Sequence, residues 1–303
     1  MSLLSTTVGP LRLENPTMLA AGVMGISAEQ MIAALDGGAG AVVTKSIGLR
    51  ANDGHPNPTL VETECGYINC MGLPNPGIMD FGEEVRKVAR RGIAIGSVYA
   101  RDARGFASLA RRMEGFGTHA IELNLSCPNA RGFGAEIGSR ASRVEAITRR
   151  VKREVSVPVF PKLTPNVGDI ASLAGAAEKG GADGVVAINT VRGMRVEPAV
   201  GMAVLSNRIG GYSGTGIKPI GVRCVYEIAC RVDMPIIGVG GISNGMDALE
   251  YMMAGASAVQ IGSAVALEGP GIFREICSEI RALLRVYGYR KLSEVVGLAV
   301  KQR

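Results

Sequence analysis

The chain contains no tryptophan and only two histidines, His55 and His119. With aromatics at 4% of its 303 residues, it lacks the stacked aromatic platforms on which single-stranded nucleic acid is held. Six cysteines are present, at 65, 70, 127, 224, 230 and 277, and none forms a C-x-x-C pair. With so little histidine, a zinc or iron–sulfur centre built from this chain alone is not expected, and the metal expectation is none. The unpaired thiols fit a reducing compartment. No stretch runs to ~18 apolar residues without a charge or a glycine, so no membrane-spanning helix is expected. The opening "MSLLSTTVGPLRLENP" has neither a basic start nor a long apolar run. A soluble cytoplasmic protein without an export signal is the expectation. The net charge is +6 and the pI about 9.1. The basic residues are scattered, and the densest run, Arg149 to Val155, reads as a solvated helix face rather than a nucleic-acid patch.

What is present is apolar content, at 47%, and glycine, at 42 residues. Eight short runs look like strands: "PTMLAAG" from Pro16, "GAVVTKS" from Gly40, "GIAIGSVYA" from Gly92, "HAIELNLS" from His119, "VPVFPKL" from Val157, "GVVAINT" from Gly184, "MPIIGVGG" from Met234 and "SAVQIGSA" from Ser257. Most are near-continuous rows of Val, Ile and Ala, as parallel strands covered on both faces should be. Helical patterns lie between them. Ser27 and Gln30 form a capping box, and "MDALEYMMAGA" and "IFREICSEIRALLRVYG" place apolar residues on one helical face. The endings "GGAGA", "KGGADG" and "MAGASA" repeat one device, a helix stop followed by a strand start.

Eight such units in one chain of this length predict an α/β fold, a single-domain (β/α)8 TIM barrel spanning 1–303. The Gly-Pro turn in "STTVGPLRLENP" predicts a short N-terminal hairpin, placed to close the barrel floor. The connections from Ile47 to Phe81 and from Arg192 to Ile217 are long for loops, and long loops in compact domains tend to be functional.

In such barrels the chemistry sits at the C-terminal strand ends, and the unusual residues of this chain fall there. Strand two ends in Thr44-Lys45-Ser46, strand four in Asn124-Leu125-Ser126-Cys127, strand five in Lys162 and strand six in Asn189-Thr190. A lysine at a strand end is sometimes only a snorkelling surface residue. Lys45 and Lys162, each flanked by apolar residues, are expected to point into the mouth, where they would neutralise an anionic ligand or a charge formed in reaction. Strands seven and eight end in Gly240-Gly241 and Gly262-Ser263. Either these are tight turns needing positive φ, or they bare the backbone N–H groups a phosphate requires, with a helix N-terminus following near Ser243 and Asn244. Their paired location favours phosphate. Asn69, Asn124, Asn129 and Asn189 carry both donors and acceptors. Together they suit a planar ligand with amide and carbonyl edges. Cys127, beside Pro128 at a strand end, is the candidate base, with Cys70 in "NCMGLPNPG" as a rival. The glycines at 132, 134 and 138 would let the next segment act as a lid.

The segments "NCMGLPNPG", "NLSCPN", "AINT" and "GVGGISNGMDALEYMMAGASAVQIGSA", in this order and spacing, resemble the dihydroorotate dehydrogenase family across nearly the whole chain. A cysteine rather than a serine at the base position is similar to the soluble class 1 members. "NARGFGAEIG" and "SAVQIGSA" are most similar to class 1B, the NAD-linked catalytic subunit. The resemblance implies an FMN enzyme that oxidises dihydroorotate to orotate in pyrimidine (UMP) biosynthesis. By that resemblance, Cys127 is the catalytic base. Lys45, Asn69, Cys70, Met71, Gly72, Leu73, Asn124, Asn129, Asn189 and Thr190 bind substrate. Ala21, Lys45, Ser46, Asn124, Lys162, Ile188, Gly214, Gly240, Gly241, Gly262 and Ser263 hold FMN. It also implies a homodimeric core joined in a heterotetramer to a subunit carrying FAD and a [2Fe–2S] cluster, which passes electrons to NAD+, with no nucleic-acid or membrane partner. Two alternatives stay open: a flavoenzyme acting on another dihydropyrimidine, and a fumarate-linked class 1A dihydroorotate dehydrogenase.

Overall fold

The computed structural model describes residues 3–125 and 135–301. Cys127 and Asn129, with the glycines at 132 and 134, lie outside the described residues. In chain order the strands are β1 (Thr6–Val8), β2 (Leu11–Leu13), β3 (Thr17–Leu19), β4 (Ala41–Val43), β5 (Leu60–Thr63), β6 (Gly66–Asn69), β7 (Ala94–Val98) and β8 (Ala120–Asn124). They continue as β9 (Val159–Lys162), β10 (Val185–Ala187), β11 (Val191–Met194), β12 (Val196–Glu197), β13 (Met202–Ala203), β14 (Ile209–Ser213), β15 (Ile236–Val239) and β16 (Ala256–Ile261).

Eight of these close into a barrel in the order β10-β15-β16-β3-β4-β7-β8-β9, and every neighbouring pair is parallel. They are the eight runs read from the sequence. The helix stops recur as expected: helices end at Asp36, Lys179 and Met253, and Gly38, Gly181 and Gly255 follow with φ of 106, 86 and 125°. Only glycine takes such backbone values without strain, so these positions end each helix and turn the chain into the next strand. The Ser27 hydroxyl accepts a hydrogen bond from the Gln30 amide at 3.3 Å, the N-cap half of the predicted capping box.

The barrel interior is layered. Its lower part is apolar: Met18, Ala41, Val43, Ile95, Ala120, Phe160, Val186, Ile237 and Ala258 form one buried cluster. Val8, Leu11 and Leu13 of the β1–β2 hairpin belong to the same cluster, so the hairpin closes the floor as predicted. The Thr6 hydroxyl pins it to the Ser257 carbonyl at 2.8 Å, at the start of β16. Successive side chains of a strand alternate between faces. The inward positions therefore continue upward as Lys45, Ser97, Glu122 then Asn124, Lys162, Ile188, Val239, and Gln260 then Gly262. Above the apolar floor most of these inward positions are polar.

The two long connections are not structureless. They meet in one four-stranded sheet, β11-β14-β6-β5, in which β6 pairs antiparallel with both β5 and β14. The sheet carries Asn69 at the end of β6 and stands beside Thr190 at the end of the β10 segment. No helix of the described residues is long and apolar enough to cross a membrane.

Candidate active site

One cavity of about 510 Å³ opens at the C-terminal strand ends, within the ordinary size of a small-molecule or cofactor site. Lys45, Ser46, Asn124 and Lys162 line it from β4, β8 and β9, and Ile188, Asn189 and Thr190 from the end of β10. Ala21 follows β3 on its wall, Gly240 and Gly241 follow β15, and Gly262 and Ser263 follow β16. Asn69, Met71, Gly72 and Leu73 reach it from the added sheet, and Gly214 from the connection after β14. These are all the described residues expected at the site except Cys70.

Cys70 stands apart from this cavity. Its side chain is fully buried away from the cavity, packed with Ile68 and Leu205, with its sulfur 3.7 Å from the Ser206 hydroxyl. The chain alternates sides here, and the thiol falls on the face turned into the sheet's own small core. Among the described cysteines, none lines the cavity.

The segment Met71–Leu73 takes an unusual shape that its neighbours enforce. Gly72 and Leu73 have φ of 75 and 60°, the latter uncommon for a branched residue. Asn52 Nδ2 donates to the carbonyls of Gly72 and Leu73 at 2.8 and 3.0 Å, and Asn75 Nδ2 donates to that of Leu73 at 2.9 Å. His55 Nδ1 lies 2.8 Å from the Cys70 carbonyl, which assigns the proton to that nitrogen. Asn75 also accepts from the amides of Gly48 and Gly77 and donates to the Tyr99 hydroxyl. Asn52, His55 and Asn75 were missed in the sequence, because turn-rich polar residues carry no periodic signal.

Sequence reasoning also missed the polar layer at the base of the cavity, where Glu122 and Gln260 line it beside Lys162. Glu122, with no exposed surface, accepts from Gln260 Nε2 at 2.8 Å and from the Ser97 hydroxyl at 3.3 Å. Lys162 Nζ donates to Gln260 Oε1 at 3.0 Å and lies 3.8 Å from Glu122. Ser97 is 2.9 Å from the Ser46 hydroxyl, which accepts from Asn124 Nδ2 at 2.9 Å. Burying two opposite charges costs several kcal/mol per ion before their attraction is counted, and apolar replacements are often as stable. A fold-stability role is therefore a poor account of Glu122 and Lys162. The signal was available: Glu122 and Gln260 share strand parity with Asn124 and Gly262.

The glycine-rich end has a different construction from the one expected. The helix N-terminus near Ser243 and Asn244 is consumed internally. Asn244 Oδ1 accepts from the Asp247 amide at 2.9 Å, and Ser243 donates to Asp247 through both its amide and its hydroxyl. Neither residue lines the cavity. The uncapped terminus is the next one. Gly262, which has no side chain to cap with, precedes the short helix Ser263–Glu268; its carbonyl accepts from the Val265 amide at 3.0 Å, and Ser263 and Ala266 line the cavity. Gly240 and Gly241, with φ of 130 and 70°, complete this wall. Tyr251 secures it: its hydroxyl donates to the Gly240 carbonyl at 2.7 Å, and burial pushes the phenol's pKa far up, keeping it a donor. A Cβ at Gly221 or Gly238 would collide with this ring, so those glycines make room for it.

A sequence profile of the dihydroorotate dehydrogenase family matches residues 3–284. The chain belongs to the dihydroorotate dehydrogenase family. It is 50% identical, over the full length of both chains, to a protein of Thermoplasma volcanium named dihydroorotate dehydrogenase B (NAD(+)), catalytic subunit. A protein of the same name from Thermoplasma acidophilum is 48% identical over 99% of this chain and all of its own. One from Methanocaldococcus jannaschii is 48% identical over 98% of each. Within the dihydroorotate dehydrogenase family, identity at this level over whole chains covers the barrel, its floor hairpin and the added sheet together.

Proposed function

We propose that this chain is the catalytic subunit of a class 1B dihydroorotate dehydrogenase, oxidising dihydroorotate to orotate in pyrimidine biosynthesis in the cytoplasm. The observation that carries the reading is the convergence, at one cavity, of two lysines, three asparagines and an uncapped glycine wall. The residues fit FMN. Lys45 and Lys162 offer positive charge inside the mouth. Gly240, Gly241, Gly262 and Ser263 offer bare backbone and the uncapped first turn of a helix, the donor set a phosphate needs. A side chain at Gly241 would strike the Gly214 carbonyl, so this wall keeps its shape only as glycine.

When bound, FMN supplies the acceptor for the hydride that leaves C6 of dihydroorotate. The chain's own residues do the rest. Cys127, three residues beyond Asn124 in the chain, takes the C5 proton as a thiolate, and the C5=C6 double bond forms as the two hydrogens depart. A free thiol ionises near ~8.5, so the rate should climb as pH rises toward that value. Asn69, Asn124 and Asn189, joined by Asn129, orient the ring through its amide and carbonyl edges, with Thr190 and the Met71–Leu73 segment closing around it. Lys45, on the cavity wall, would contact both ligands, and Lys162 would supply positive charge beside the flavin. A second subunit with FAD and a [2Fe–2S] cluster, in a heterotetramer around a homodimeric core, would supply the route to NAD+; the words "catalytic subunit" in the relatives' names support a partner.

The test is anaerobic addition of dihydroorotate to the FMN-loaded chain. Flavin bleaching is expected. Bleaching by another dihydropyrimidine but not by dihydroorotate would overturn the reading. Cys127→Ser should slow bleaching by roughly 10²–10⁴, the range for a lost general base, and Cys70→Ser should leave it near the parental rate.

A further inference from the structure

Two chains of side-chain hydrogen bonds in the buried layer lead to one group. Ser97 spends its only proton on Glu122, so it must accept from Ser46, whose own oxygen accepts from Asn124. On the other side Lys162 donates to the Gln260 carbonyl oxygen, and the Gln260 amide nitrogen donates to Glu122. An inverted Gln260 amide would set a donor against the ammonium and an acceptor against the carboxylate, so its orientation is fixed. A carboxylate only accepts. Glu122 is thus the terminus of two donor chains, one from Asn124 and one from Lys162.

We infer that Glu122 is a positioning residue that orients both halves of the site at once: Lys162 through Gln260, and the substrate-side amide of Asn124 through Ser97 and Ser46. The inference rests on the proposed function for the names of the two ligands, and on the geometry for the coupling. Because Asn124 donates one amide hydrogen to Ser46, a group two hydroxyls away helps set the direction of its carbonyl oxygen. Because Lys162 is held on the Gln260 carbonyl at 3.0 Å rather than on Glu122 at 3.8 Å, its charge stays forward of the carboxylate. Glu122 also partly offsets that charge, and so tunes how strongly the site favours a reduced, more negative flavin. An all-apolar layer would take the Ser46 acceptor's support from Asn124 and the countercharge from Lys162.

The test uses the full-length, FMN-loaded chain and two readouts that need no turnover. One is the dissociation constant of orotate, from its perturbation of the flavin spectrum. The other is the flavin midpoint potential, from reductive titration without substrate. Ser97→Ala cuts the first chain and should weaken orotate about tenfold while leaving the potential in place, as loss of one hydrogen bond to a charged group implies. Gln260→Met cuts the second. The ammonium then closes on Glu122, the potential falls, and orotate affinity holds. Glu122→Gln should weaken orotate and raise the potential, since a negative charge is lost beside Lys162. The exchange Glu122→Gln with Gln260→Glu restores the charge count and should return the potential toward the parental value.

The inference is overturned if Glu122→Gln leaves both readouts unchanged, or if Ser97→Ala and Gln260→Met each disturb both readouts alike, as a general loss of packing would. If Glu122→Gln does not fold, those two single-arm variants decide the matter. A parent chain that takes up FMN but not orotate overturns the dihydroorotate reading and the Asn124 arm, while the potential still tests the Lys162 arm. A parent that takes up no FMN overturns both.

Discussion

Replacing Gly241 by alanine separates backbone geometry from generic glycine content. Gly241 has a φ of 70°, where a side chain costs about 1–2 kcal/mol. Its added Cβ would lie 2.7 Å from the Gly214 carbonyl oxygen and 3.0 and 3.1 Å from Lys218 Cβ and N. Ordinary carbon–oxygen approach is about 3.3–3.6 Å, so the intrusion is more than half an ångström against backbone, which yields poorly. Overpacking of that kind costs about 1–3 kcal/mol. The total is roughly 2–5 kcal/mol. It must appear either as lost stability or as displacement of the loop that forms the cavity wall. Thermal melting of the apo-protein measures the first, at about 2–4 °C per kcal/mol or somewhat less for so long a chain. Quenching of FMN fluorescence measures the second, where the full cost would be about 30-fold to more than 10³-fold in affinity. The control is Gly175→Ala, inside the helix Ile170–Lys179, where an added Cβ meets nothing within 4 Å. That change should stabilise by about 0.5–1 kcal/mol. Gly241→Ala with parental melting and FMN affinity within threefold would refute the reasoning. So would a Gly175→Ala variant as damaged as Gly241→Ala.

Tyr251→Phe removes the 2.7 Å bond to the Gly240 carbonyl but keeps the ring; a loss of about 1–2 kcal/mol is expected by urea denaturation, together with weaker FMN uptake. Asn75→Ala removes one hydrogen bond from each of Leu73, Gly48, Gly77 and Tyr99, and should cost about 3 kcal/mol in the same assay, chiefly through the Gly48 and Gly77 amides. Burial pushes the Cys224 thiol up to about 11, with the neighbouring Arg223 opposing. At pH 8 only about one Cys224 in a thousand is then thiolate, so mass spectrometry after iodoacetamide should find Cys65 and Cys230 alkylated and Cys224 untouched until the chain unfolds. The sign for stability follows: a thiol whose folded pKa is raised makes the fold weaken as pH climbs through the unfolded thiol's pKa, about 9.

The parts of the fold legible in the sequence are those whose signal is local. Most barrel strands are short Val/Ile/Ala runs because both faces are covered, and several helix stops, at Gly38, Gly181 and Gly255, are glycines at positive φ. The added sheet was not legible. β6 meets β14 across more than a hundred residues of chain, as the Asn69 to Gly211 contact illustrates. Its strands are partly exposed on both faces, so they show neither a continuous apolar run nor a clean alternation. The segments that hold Asn69 and Leu73 therefore read as long loops. Their strand character depends on a partner the local sequence does not name.

The candidate site shows a further distinction. Strand ends announce themselves, because a lysine, asparagine or glycine pair after an apolar run breaks the pattern. Glu122 and Gln260 sit inside the runs, each a single polar letter between apolar neighbours. Period-two parity identifies them: whatever shares a face with Asn124 also points into the barrel. Ser97, Glu122 and Gln260 all have that parity, and in a closed barrel inward side chains from different strands must meet at the axis. Their meeting follows from closure rather than from any local motif. A buried glutamate on an inward strand position, one step below a mouth residue, therefore has little choice of partner. It finds a cation and an amide from other strands, as Glu122 finds Lys162 and Gln260, or the barrel does not close around it.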